Sequence, residues 1–543
     1  MKISFEFGII ILDILRRLCV EILLGGISLN KKSAACAAVI EIGTKNVKMR
    51  VSQLVKGKIH TLDYLEYPVS LDHDVFETGA VSFDILRELS AALAKFSSAL
   101  LSYNIEKPRV VSGTALLEAS NRALVLDQLR VRNGMDVAVL DSSQEKAYIF
   151  SEIEKRLVQE DRIHSGHSLI AHIGSGSIGL AVYDGEKAVY FQNIPMGALK
   201  LHDVLGALRR KADDFNCILE EYMDTILNRM HISGFGIENL VLTGSQIELI
   251  AKLCSAEKAG LVYHIETGAL QALYDSLLSM TAESISLRYG ITENQAALLY
   301  TTLFIYRGIL RFCPQAKEIL SPPVDISEGV TRYMLMPKAD AEWSSYLRKN
   351  ALACACTAAQ SFHCDEEHSK RIGGYACRLF DKLKKVHGLD TSKRLVLELA
   401  AALHSCGSYV SLRQHNRCTY DIIRGMDLFG LSSAEVLEVA MVAGSISDAL
   451  AQENVPELSI LTQSECIVVS KLSAIFRLAN ALDKSHLEKL KNLKMSLDED
   501  RILIRAESSS NTLLERWSFE ESAGFFKEVF GLSPELLIKS DMI

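Results

Sequence analysis

The sequence predicts a duplicated α/β fold, two related halves facing one cleft, with an all-helical region after them. Three observations predict it. Strand–glycine turn–strand signals occur twice, in AAVIEIGTKNVKMRV from residue 37 and in SLIAHIGSGSIGLAVY from residue 168. Each is followed by segments whose apolar residues fall at helix period, alternating with short apolar runs. From about residue 350 to 485 nearly every stretch keeps helix period, with few glycines inside segments.

Along the chain, residues 1–35 form an N-terminal extension. Its apolar residues recur at helical spacing, yet Asp13, Arg16, Arg17 and Glu21 interrupt any membrane-length run, so it reads as a loosely docked extension or a short amphipathic helix. The first α/β half spans 36–160: three strands, a helix over 82–103, a strand at Val110-Val111, helix in ALLEASNRALVLDQLR, and a strand at 137–140 leading into SSQEKAYIF. The second half, 161–335, opens on the 168–190 hairpin and continues through a strand at Leu240–Leu242 into TGSQIELIAKL. The helical region covers 350–486. A small α+β tail, 487–543, reads as strand, strand, helix.

The bulk properties narrow the function. With a net charge of −8 and no lysine/arginine block, nucleic acid and membrane surfaces are not the expected partners. Twelve scattered cysteines in 543 residues suit a reducing, cytoplasmic compartment rather than a disulfide framework. Cys354, Cys356, His363 and Cys364 match no common zinc spacing and read as a buried helix face.

A series of landmarks follows one order. Ala38-Val39-Ile40-Glu41-Ile42-Gly43-Thr44-Lys45-Asn46 is a strand ending in a turn, and Ser112-Gly113-Thr114 opens a helix. Ser142-Ser143-Gln144-Glu145-Lys146-Ala147 opens another, and HIGSGSIG holds Gly174, Ser175, Gly176 and Ser177. Asn193–Gly197, Thr243-Gly244, Glu328-Gly329 and Ala401–His404 come after. In this order the chain resembles the exopolyphosphatase/guanosine pentaphosphate phosphohydrolase (Ppx/GppA) family over about 36–543. The resemblance implies duplicated actin-like (sugar kinase/Hsp70/actin) domains, an HD-like helical domain, a homodimer, and inorganic polyphosphate or guanosine pentaphosphate as substrate. It also implies Mg²⁺ as cofactor. It places phosphate on Gly43, Thr44, Lys45, Asn46, Gly174–Ser177, Thr243 and Gly244, and the catalytic role on Glu145, with Gln144 the competitor one residue away. Glu41 is the candidate metal ligand.

The physical logic is that glycine turns present backbone N–H groups to phosphate oxygens without a Cβ in the way. A glutamate then deprotonates or orients water for in-line attack. Against the family pattern this sequence has lost acid: the first-loop Asp is Glu41, the second-loop Asp is His172, its Glu partner is Gly179, and an expected arginine is Leu117. In the helical region the HD ligand positions read His368, His404-Ser405 and Asn480, a set poor in carboxylates for a two-metal site. Three readings follow. The first is a slow phosphoanhydride hydrolase. The second is a catalytically degenerate polyphosphate or alarmone sensor that kept the cleft. The third, an actin-like ATPase or sugar kinase, is weakened by the helical region and by the missing second-loop acid.

Overall fold

The computed structural model describes residues 35–160, 166–202, 215–230, 232–278, 280–445 and 461–540. The N-terminal extension, apart from residue 35, lies outside them. The first sheet has the order β3-β2-β1-β4-β5. Its strands are β1 (Cys36–Ile42), β2 (Asn46–Val55), β3 (Lys58–Pro68), β4 (Arg109–Ser112) and β5 (Val137–Val139). β1 runs antiparallel to β2, β2 antiparallel to β3, and β1–β4–β5 are parallel.

The second sheet repeats this plan. β6 (His167–Ile173), β7 (Ile178–Tyr183), β8 (Ala188–Ile194), β9 (Ile237–Gly244) and β12 (Glu318–Ser321) stand in the order β12-β9-β6-β7-β8. β6–β7–β8 are antiparallel and β6–β9–β12 parallel. β10 (Glu257–Ala259) and β11 (Val262–Glu266) extend its far edge. The two sheets therefore share strand order, direction and the position of the glycine turn, which is the duplicated actin-like architecture. β1 and β6 are central and buried on both faces, which is why both read as continuous apolar runs.

The equivalence extends to the helices. The last strand of each five-strand set feeds one: β5 leads to helix Ser142–Gln159 and β12 to helix Ile326–Leu335. The two cross closely at Gly329, where a Cβ would stand 2.7 Å from the Tyr148 carbonyl oxygen. The stretch after β4 is not one helix but two, Thr114–Leu117 and Arg122–Asn133. Asn121 breaks them, its side chain holding both the N–H and the carbonyl of Val81.

The helical region begins with helix Ala339–Ser361 and ends with helix Gln463–Ala481. One buried apolar cluster joins it to the first part, with Phe150, Phe191 and Phe429 in mutual ring contact at 5.2–6.4 Å. Each such aromatic pair contributes about 0.5–1.5 kcal/mol beyond its buried area. Asn350 Oδ1 accepts from the Ala188 N–H at 2.7 Å, so the helix also closes part of the β8 edge. The tail is a three-stranded sheet, β13 (Lys491–Leu497), β14 (Arg501–Ser508) and β15 (Ser533–Ser540), with helix Leu513–Phe530 crossing between β14 and β15. β15 was not anticipated: its Pro534 reads as a strand breaker, but β15 is an edge strand, where a missing N–H is tolerated.

Candidate phosphate site

The turns that end β1 and β6 have the same internal bond. Gly43 N–H donates to Asn46 O at 3.0 Å, and Gly174 N–H donates to Ser177 O at 3.0 Å. Closing each turn this way leaves the N–H groups of Thr44, Lys45, Ser175 and Gly176 without an acceptor among the described residues. The turns face each other across the cleft, and Thr44 Oγ1 donates to Ser175 Oγ at 3.0 Å. A cleft of about 70 Å³ lies between them, lined by Gly43, Thr44, Glu145, Lys146 and Gly174–Ser177. It meets a larger cavity of about 770 Å³ at Thr114, Gly176 and Ser177.

Helix Ser142–Gln159 supplies the carboxylate. Its N-cap is Asp141, and Gln144 folds back so that its Oε1 accepts from the Asp141 N–H at 3.2 Å. Gln144 is thus spent on the capping box, and the residue that turns into the cleft is Glu145. Its carboxylate lies against Gly113, where a Cβ would stand 2.3 Å from Oε2. A side chain at 113 would push the Glu145 carboxylate aside. Glu145 is 19% exposed and its Oε1 accepts from Lys146 Nζ at 3.1 Å.

Glu41 also reaches the cleft, from the end of β1. Its residue is half-buried, but its Oε2 is shut away from water and has no partner among the described residues. Burial pushes Glu41 up to about 7, against the pull of Lys48, its cross-strand neighbour on β2. Asp325 and Glu145 push in the same direction as burial. Arg50 beside it is occupied with Asp325 at 2.8 Å and Glu328 at 3.2 Å.

Four expected phosphate-site residues do not line this cleft. Lys45 swings to Asp72, 3.6 Å away, and Asn46 contributes its carbonyl to the turn. Thr243 is buried, its hydroxyl donating to Pro322 O at 2.8 Å. Gly244 serves packing, since a Cβ there would stand 2.4 Å from Ile173 O.

The Mg²⁺ implied by the resemblance has a poor donor set. His172 is buried and stays neutral, held well below the usual imidazole range by burial and then by Lys146. Gly179 offers no ligand, and one Glu145 oxygen is taken by an ammonium. Among the described residues no three His, Cys, Asp or Glu side chains gather as a metal site. The carboxylates at the cleft are Glu41 and Glu145, too few for an all-protein Mg²⁺ cage.

In the helical region His368 and His404 do meet, ring centroids 5.2 Å apart. Asn480 lines the same cavity as His404. The carboxylate there is Asp483, missed in the sequence because it lies three residues on. It accepts from Arg371 Nε and pairs with His368 Nδ1, both at 2.8 Å. Cys354 packs against β8, its thiol donating to Ala188 O at 3.3 Å.

The description "Ppx/GppA phosphatase family" fits residues 50–337, just over half of the chain, and "Ppx/GppA phosphatase, domain III" fits residues 353–521. The chain belongs to the Ppx/GppA phosphatase family. A guanosine-5'-triphosphate,3'-diphosphate pyrophosphatase of Vibrio atlanticus (strain LGP32) is 20% identical over 403 residues, covering 73% of this chain and 78% of that protein. Among solved Ppx/GppA-type structures, an exopolyphosphatase from Cytophaga hutchinsonii is 19% identical with a TM-score of 0.49, covering 55% of this chain and 98% of its own. The Aquifex aeolicus family member is 18% identical with a TM-score of 0.46, covering 54% and 95%. The second glycine turn of this chain is flanked by His172, Gly179 and Lys146. No described helix is long and apolar enough to cross a membrane.

Proposed function

We propose that this Ppx/GppA-type protein holds the terminal phosphate of a phosphoanhydride between its two glycine turns and hydrolyses it slowly. The observation that carries the reading is the unspent N–H groups of Thr44 on one turn and of Ser175 and Gly176 on the facing one, at a cleft of phosphate dimensions. Glu145 takes the proton of a water as its oxygen bonds to the terminal phosphorus. The bridging P–O bond breaks, and its electron pair leaves with the shortened chain or nucleotide. Thr44, Ser175 and Gly176 bind through their N–H groups; Glu145 is the base.

The rest of the substrate would lie in the 770 Å³ cavity. Among its described lining residues Glu118, Asp141, Asp427 and Glu465 face a single cation, Arg424. A long polyanion would be repelled there, so the acidic wall favours a compact guanosine polyphosphate over inorganic polyphosphate. The loss of acid at 172 and 179 supports a second reading, a binding protein with no turnover. The chain would act as a homodimer, as its likeness to the family implies; sedimentation equilibrium would read it. Phosphate release from guanosine pentaphosphate and from polyphosphate, with Mg²⁺, with Mn²⁺ and with neither, separates the readings. The hydrolase reading expects slow release that falls about 10²–10⁴-fold in Glu145→Gln, the usual worth of a general base. Ligand-induced thermal stabilisation without release would establish the sensor.

A further inference from the structure

Lys146 is buried to 1% exposure in the first turns of helix Ser142–Gln159. A cation is unfavourable at that end of a helix, and a buried ammonium is costly unless paired. It carries three donors, and Glu145 Oε1, at 3.1 Å, is its one acceptor among the described residues. The fold nevertheless makes space for it. Its stem lies across Gly179, where a Cβ would stand 2.7 Å from Lys146 Cγ, 2.8 Å from Cδ and 3.1 Å from Cε. The ammonium ends beside the second turn, 3.2 Å from where a Cβ on Gly174 would be, and lines the cleft. Glycine at 179 is what admits the chain, and neutral His172 beside it adds no competing charge.

We propose that Lys146 is a resident cation of the cleft, which frees its hold on a phosphoanion from any need for a divalent metal. The inference rests on the reading of the cleft as a phosphate site. An ammonium with unused donors, already desolvated, recovers part of its burial cost when an anion arrives. Part of the positive charge a metal ion would bring is then supplied by the chain itself. Glu145, which holds the ammonium in the free protein, competes with the incoming anion.

The test is calorimetric titration of the full chain with inorganic tripolyphosphate, in EDTA and in Mg²⁺. The expected result is affinities within about threefold of each other. Lys146→Met, which keeps the stem, should bind at least tenfold more weakly in EDTA, and Glu145→Gln should bind more tightly than the parent. If Lys146 only anchors Glu145, then in the Glu145→Gln background Lys146→Met changes nothing, which would overturn the inference. Binding that appears only with Mg²⁺ overturns it as well, and needs no variant to be seen. No binding in either condition overturns the phosphate-site reading along with it.

Discussion

Gly197 stands behind the second phosphate turn, and replacing it by alanine should move that turn. The added Cβ would lie 2.4 Å from Gly174 O and from both the carbon and oxygen of the Ser175 carbonyl. Ordinary contact begins at about 3.4 Å, so roughly 1 Å must be found, and all three neighbours are backbone. The turn cannot back away freely, because its carbonyls hold this same segment. Ala198 N–H donates to Gly174 O at 3.0 Å and Leu199 N–H to Ser175 O at 3.1 Å. Overpacking of this kind costs about 1–3 kcal/mol. A displacement of about 1 Å at a reacting group costs on the order of 10²-fold in rate. Gly197→Ala should therefore lower the urea midpoint and weaken tripolyphosphate binding together. Gly268→Ala is the control. Nothing lies within 4 Å of its Cβ position, in helix Thr267–Leu277, so it should stabilise by about 0.5–1 kcal/mol and leave binding alone. A Gly197→Ala protein with unchanged midpoint and unchanged affinity would show that the turn does not depend on this contact.

Other predictions concern charge. Glu41 holds its proton up to about 7 in the folded chain against 4.5 as its ordinary value. Because the folded state binds the proton more tightly, stability falls as pH rises through that window, by about 3 kcal/mol at most. Glu154 is also pushed up to about 7 by burial, so the readout is the difference between Glu41→Gln and its parent in urea midpoints from pH 4 to 8: the variant should lose less stability. Restoring acids with His172→Asp and Gly179→Glu should fail to raise turnover, since the Gly179 Cβ position is 2.7 Å from the Lys146 stem. Adding Lys146→Ala to that pair makes room, and tripolyphosphate binding should then become Mg²⁺-dependent.

Much of this architecture was legible in the residues. Gly-Thr-Lys-Asn after an apolar run and Gly-Ser-Gly-Ser after another mark two turns, because few other residues let a chain reverse so tightly between buried strands. That the turns face each other follows from the repeated strand order, which no local pattern displays. The choice between Gln144 and Glu145 was a question of helix phase, decided by a capping box the sequence contains as Asp141 and Gln144. Lys45 looked like a phosphate ligand because it sits in the turn; its side chain leaves for Asp72, a tertiary contact. Lys146 was hidden for the same reason, since its meaning lies in Gly179, which is distant in sequence and adjacent in space.

A crystal structure of the full chain with inorganic tripolyphosphate bound would show where the terminal phosphate sits. A terminal phosphate is expected between the two turns, its oxygens on the N–H groups of Thr44 and of Ser175 or Gly176, with Lys146 Nζ within hydrogen-bond distance and Glu145 alongside. A tripolyphosphate seated elsewhere, with this cleft untouched, would contradict that placement.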